Sequence, residues 1–204
     1  MRTVLITGFE PFGGDERNPS WDVASLLATR QPLADAELVA AQLPCVFGAA
    51  LTELDEAIAE HRPELVINVG YAAAWTDITL EKVAINLDDA RIPDNAGAQP
   101  VDRPVVAGGP AAYLAGLPVK AAVAAVQAIG LPARVSFSAG TFVCNHVFYG
   151  LLHRIATERP GLRGGFVHVP PTLTVPQLAD ALTAVLRTCL DTEVDLAVPA
   201  GTLH

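Results

Sequence analysis

Short β-like runs alternate with helical ones along this 204-residue chain, the pattern of a sheet covered by helices in an α/β layered domain. Apolar or alternating runs predict strands at 3–7, 37–43, 65–69, 82–87, 134–138 and 166–169. Apolar residues at helical spacing predict helices at 19–29, 47–60, 119–129, 145–158 and 175–190. Asn18 before Pro19 reads as an N-cap with proline at the first helical position, and Thr174 with Gln177 fits a capping box. The length suits one domain over 1–204, with no internal repeat or linker. A chain of this size buries roughly 70% of its unfolded surface without needing disulfides or a metal.

Hydrophobic residues make up 51% of the chain and charged residues 17%, with mean hydropathy +0.36, so its surface must carry a large apolar share. That points to an oligomer interface. The net charge of −9 and the lack of any basic run make nucleic acid and anionic membranes poor partners. Cys45, Cys144 and Cys189 are odd in number and form no Cys-x-x-Cys pair, so neither a disulfide framework nor a thiolate zinc site is expected. A reducing cytoplasm fits best. The first apolar run is too short for a signal segment and stops at Glu10, and no stretch reaches the roughly 20 apolar residues of a membrane span.

One segment carries a candidate nucleophile. In Ser138-Ala139-Gly140-Thr141-Phe142-Val143-Cys144-Asn145-His146, the cysteine sits between a short strand and a helix whose apolar stripe contains Val147, Leu151 and Ile155. A helix N-terminus favours thiolate over thiol. A small buried core residue is the alternative reading of Cys144.

A thiol nucleophile needs a base. His146 is two residues past the cysteine and His153 two turns on, so neither naturally meets the sulfur. His61 ends a surface helix and His204 is the last residue. His168 remains, in Gly165-Phe166-Val167-His168-Val169-Pro170 at the end of a buried strand, where ligands of open α/β sheets gather. A carboxylate would orient the imidazole, and Glu81, Asp88, Asp89 and Asp94 all compete for that part. The last three fall in or beside a long turn-rich stretch, 88–100, of the kind that lines a site in a compact domain. After the first strand, Thr7-Gly8-Phe9-Glu10-Pro11-Phe12-Gly13-Gly14 lacks the spacing of a phosphate loop. Phe9 and Phe12 there suit either a flat apolar ligand or a small core under the loop.

These segments together resemble the pyroglutamyl peptidase type I family, the pyrrolidone carboxyl peptidases. The resemblance runs from the first strand to at least Pro170, through Asn18-Pro19-Ser20, Val83-Ala84-Ile85-Asn86, Asp89-Ala90-Arg91-Ile92-Pro93-Asp94-Asn95 and, most specifically, the Cys144 segment. It implies an open, mostly parallel twisted sheet with helices on both faces and a cytosolic homotetramer. It implies no metal or cofactor, a Cys144–His168–Glu81 constellation, and removal of N-terminal pyroglutamate from peptides. Substrate contacts are implied at Phe9, Phe12, Asn18, Tyr71, Arg91 and Phe142, with aromatic rings around the lactam.

The chain departs from the family after Gly70. A Gly-rich stretch with an arginine, then Glu-Arg, is replaced by Tyr71-Ala72-Ala73-Ala74-Trp75-Thr76-Asp77-Ile78-Thr79-Leu80-Glu81-Lys82, with Trp75 in the arginine's position. Alanine lacks glycine's access to positive φ, so this loop is expected to be stiffer or differently shaped. Changes at Ala73 and Trp75 are expected to move KM more than kcat by reshaping the ring pocket. The altered loop keeps open a related thiol amidase for another small lactam or amide. A non-catalytic scaffold oligomer with the same fold is a further alternative.

Overall fold

A run such as Val4-Leu5-Ile6 has no polar face to offer water, so it belongs in a sheet covered on both sides. In the computed structural model, which describes residues 2–203, it forms the middle of β1 (Arg2–Phe9). The chain continues through α1 (Pro19–Arg30), β2 (Ala36–Leu43), α2 (Ala49–His61), β3 (Leu65–Tyr71), β4 (Ile78–Glu81) and β5 (Val83–Ile85). It ends through β6 (Ala112–Leu114), α3 (Val119–Ala128), β7 (Ala133–Ser136), α4 (Val143–Thr157), β8 (Arg163–Val169) and α5 (Val175–Asp191). His204, considered above as a base, lies outside the described residues.

Six strands form one sheet in the order β2-β1-β3-β8-β4-β7. The first four are mutually parallel; β4 runs antiparallel to β8 and parallel to β7. The sheet is therefore mostly parallel with one reversal, which lies beside β8. Helix α5 packs with α1 and with α3 on one face, and α2 packs with α4 on the other. Gly8 shows how closely the layers approach. A Cβ there would lie 2.4 Å from the Ser20 carbonyl oxygen and 2.5 Å from the Trp21 Cα, so only glycine lets α1 start against β1. Asn18 caps α1 by accepting from the Ser20 N–H, and the Thr174–Gln177 capping box opens α5.

Of the segment read as a strand over 82–87 only Val83–Ile85 is one, and the strand just before it, Ile78–Glu81, was not expected. β4 ends at Glu81 inside the main sheet, and β5 pairs with β6 in a separate two-stranded sheet. All four residues of β4 are buried, including Thr79 and Glu81. Buried polar side chains hid this strand from a pattern built on hydrophobicity. Three-residue β6, mostly exposed, has no such pattern at all. No described helix is long and apolar enough to cross a membrane.

Candidate active site

Cys144 is the second residue of α4, and Phe142 at the N-cap offers no side-chain bond to the first turn. The opening amides of the helix are thus left without a side-chain partner, as at helix N-termini that receive anions. Asn145 ties this turn to the strand after Glu81. Its Oδ1 accepts from the Ile85 N–H at 3.0 Å, and its Nδ2 donates to the carbonyls of Ile85 and Leu87 at 2.9 and 3.0 Å. Sequence reasoning missed Asn145. Its signal was an amide directly beside the cysteine, ahead of the apolar stripe of the helix.

The strand register brings the thiol and His168 together. Gly70 on β3 is the register partner of His168 on β8. A Cβ on Gly70 would lie 3.0 Å from Cys144 Sγ and 2.8 Å from the Phe166 ring. Phe166 shares a face with His168, two residues on, and their ring centroids are 4.8 Å apart. Thiol and imidazole therefore occupy the α4 face of the sheet, about one strand spacing (~4.8 Å) apart in register. Gly70 is what leaves room for sulfur. Gly70→Ala is expected to keep the fold but lower kcat by about tenfold or more, because the new methyl displaces the sulfur or the Phe166 ring under His168. Steady-state kinetics alongside a melting curve checks this, and an unchanged kcat would mean the sulfur has no fixed seat.

Glu81 reaches His168 across the reversed strand. Its Oε1 is 2.8 Å from His168 Nδ1, with both side chains buried, and Oε2 has no protein partner. This bond leaves Nε2 as the nitrogen turned away from the carboxylate. Two of the three competing carboxylates, Asp88 and Asp94, are committed elsewhere. Asp88 Oδ2 lies 2.8 Å from His146 Nδ1, while His146 Nε2 accepts from the Gly48 N–H. Asp94 accepts the backbone N–H groups of Phe47, Ala96 and Ala98, folding the 88–100 stretch onto the site's rim. Asp89 is exposed, and Thr141 Oγ1 donates to its carbonyl. His153 stacks on Tyr149 and bonds the Tyr113 hydroxyl.

Burial sets the thiols. Cys45 and Cys189 are pushed up to about 12, Cys45 by desolvation and then the charges of Glu10 and Asp94. Cys144 is also pushed up, first by desolvation, then by Cys45 and Glu81, with its own backbone N–H pulling the other way. Burial thus works against the thiolate that the helix start favours. A nucleophile at Cys144 has to be made by moving the proton to a base.

The proposed substrate contacts are divided between the two faces. Phe12 and Phe142 stand 6.2 Å apart between ring centroids, half-buried, and Phe142 directly precedes the Cys144 turn. Phe47, which sequence reasoning placed inside a helix, lies ahead of α2 and meets Phe142 edge to face at 5.4 Å. Phe9 is instead a core residue, 2% exposed and packed on Phe166. Asn18 is buried with its Oδ1 taken by Ser20 and its Nδ2 donating to the Glu10 carbonyl, so one amide hydrogen remains for any ligand. Tyr71 alternates away from Gly70 and lines a groove with Pro19, Asp22 and Val175 on the α1/α5 side. Arg91 is exposed and makes no ion pair among the described residues. Also among the described residues, no group of three or more His, Cys, Asp or Glu is placed to hold a metal ion.

This arrangement has close counterparts. The family model for pyroglutamyl peptidase matches residues 2–201. The pyrrolidone-carboxylate peptidases of Streptomyces coelicolor and Cupriavidus necator are 54% and 51% identical to the chain, each over the full length of both proteins. The crystal structure of pyroglutamyl peptidase I from Bacillus amyloliquefaciens superposes with a TM-score of 0.94 at 44% identity, covering 97% of this chain and 99% of that one. With fold, length and sequence matched end to end, the chain belongs to the pyroglutamyl peptidase family and is a pyroglutamyl peptidase I-like peptidase.

Proposed function

We propose that this chain is a cysteine exopeptidase that removes N-terminal pyroglutamate from peptides through a thioester on Cys144. The observation that carries this reading is the buried His168 Nδ1–Glu81 Oε1 bond of 2.8 Å on the sheet face that holds the Cys144 sulfur. His168 Nε2 takes the thiol proton as the sulfur attacks the pyroglutamyl carbonyl carbon. Glu81 holds the ring and balances the imidazolium. The tetrahedral oxyanion faces the uncapped amides of the α4 start, each such donor being worth about 3–4 kcal/mol in comparable sites. Collapse breaks the C–N bond, and His168 gives its proton to the leaving amine. Water then loses a proton to His168 and attacks the thioester, releasing pyroglutamate and restoring the thiol.

Phe12, Phe142 and Phe47 offer apolar walls for the neutral lactam ring. Backbone groups of the surrounding loops are the candidates for its N–H and C=O. A site that bonds both rejects an analogue lacking one by about 10⁴-fold or more. Arg91, which is exposed, belongs to this reading only as an outer contact to the peptide, while Asn18 is buried and Tyr71 lies on the α1/α5 side. The same reading carries a homotetramer in the cytoplasm, supported by three free cysteines and by the exposed apolar side chains of Val101, Leu114, Ile129 and Phe137.

Pyroglutamyl-aminomethylcoumarin is expected to be turned over and the prolyl and glutamyl analogues refused. Turnover of another lactam amide in preference to the pyroglutamyl one would favour the related amidase, the reading to which the Tyr71–Lys82 departure lends support. Glu81→Gln is expected to lower kcat by about 10²-fold or more with KM little changed, since the ring loses its charged partner while the lactam walls stay. An intact kcat in that variant would remove Glu81 from the mechanism.

A further inference from the structure

The departing loop carries a residue that touches the histidine. Trp75 meets the His168 ring at 5.3 Å between centroids and 72° between planes. The Arg134 guanidinium carbon lies 4.6 Å from the centroid of the same indole. The sheet register explains why one side chain reaches both. Thr79 on β4 pairs with His168 on β8 on one side and with Arg134 on β7 on the other, so the three form one row across three strands. The two outer members are about two strand spacings apart, roughly 9.6 Å. The indole, which meets both outer side chains, bridges that span.

The stack is tied down at its base. Asp77 Oδ2 lies 3.8 Å from Arg134 Nε, and the Trp75 N–H donates to the Ala72 carbonyl at 3.1 Å. The Ala72 N–H in turn donates to the Val169 carbonyl, one residue past His168, and Thr172 Oγ1 donates to the Thr76 carbonyl. Both ends of the loop are therefore fastened to the β8 end that carries the imidazole.

We propose that Trp75, held by Arg134, is a positioning residue for His168. It keeps the imidazole in the orientation bonded to Glu81 and covers the side of the ring that the Phe166 contact leaves open. This inference rests on His168 serving as the base and acid of the reaction. It also assigns Trp75 a different part from shaping the lactam pocket: the rate step depends on it, and binding does not. A histidine that swings by even an ångström loses proton transfer, whereas the aromatic walls that hold the ring are formed by Phe12, Phe142 and Phe47 on other elements.

Steady-state kinetics on pyroglutamyl-aminomethylcoumarin, with melting curves for every variant, tests the inference. Trp75→Ala is expected to lower kcat by about 10- to 100-fold with KM within about twofold of the unsubstituted protein. Trp75→Phe, which restores an aromatic wall, should recover most of that loss. Arg134→Gln should fall between the two, and with Trp75→Phe it carries the test if Trp75→Ala does not fold. A raised KM at unchanged kcat, or no kinetic effect in the folded variants, would overturn the inference. His168→Ala in the same assay separates the two levels. If it stays active, the reading of the site itself is wrong; if it is inactive while Trp75→Ala matches the unsubstituted protein, only the positioning role fails.

Discussion

Cys144→Ser is expected to lower turnover of a pyroglutamyl substrate by about 10⁴-fold or more, while Cys45→Ser and Cys189→Ser stay active. The contrast follows from where the three sulfurs lie. Cys45 is 3% exposed in the β2–α2 connection, with its backbone N–H bonded to Glu10 Oε1, and Cys189 is 1% exposed late in α5. Burial pushes all three thiols up, so the contrast rests on what lies beside each sulfur and not on its resting charge. Cys144 is half-buried, opens a helix and sits over Gly70 in the row of His168. A serine hydroxyl there is a poorer nucleophile with a far higher pKa than a thiol. The check is kcat/KM for the three serine variants at a temperature where all remain folded. Substantial activity in Cys144→Ser would end the thiol mechanism.

His168→Ala should lose nearly as much, and the double variant Cys144→Ser/His168→Ala should be little worse than either single one. Groups that act as one unit lose the whole effect at the first removal, so their losses do not multiply. Multiplicative losses would instead assign the two residues separate tasks. His146→Ala provides the contrast, since it removes a histidine two residues from the nucleophile. Its ring bonds Asp88 and the Gly48 N–H rather than the sulfur. Deleting it leaves buried groups without partners, at a cost of about 1–3 kcal/mol in stability, and should leave the mechanism working.

Much of this was legible in the residues because the chain's apolar pattern and its chemistry agree in most places. Runs such as Val66-Ile67 and the amphipathic stripe of α5 predicted their elements within two or three residues, and the caps at Asn18 and Thr174 are where the side chains indicated. The strand at Ile78–Glu81 was not legible. Its Thr79 and Glu81 are buried where hydrophobic residues are the norm, and Glu81 is held there by its bond to His168. The choice of Glu81 over Asp88, Asp89 and Asp94 was likewise open, since spacing along the chain does not reveal which strand lies beside β8. The family resemblance pointed to Glu81, and the antiparallel pairing of β4 with β8 is what sets that carboxylate against His168. Phe9 shows the opposite failure. An aromatic beside a glycine turn looks like a ligand wall, yet strand alternation turns this one into the core against Phe166.

The most direct test of the site is a titration with iodoacetamide. The protein is treated with increasing amounts of reagent, residual turnover of pyroglutamyl-aminomethylcoumarin is measured at each point, and the labelled cysteine is located by peptide mass mapping. The expected result is one label per chain, on Cys144, with activity falling in proportion to labelling and reaching zero when that residue is fully modified. Cys45 and Cys189 should stay unlabelled while the fold is intact. Full turnover in protein whose Cys144 is completely alkylated would contradict a thioester on that sulfur, whatever the fold resembles.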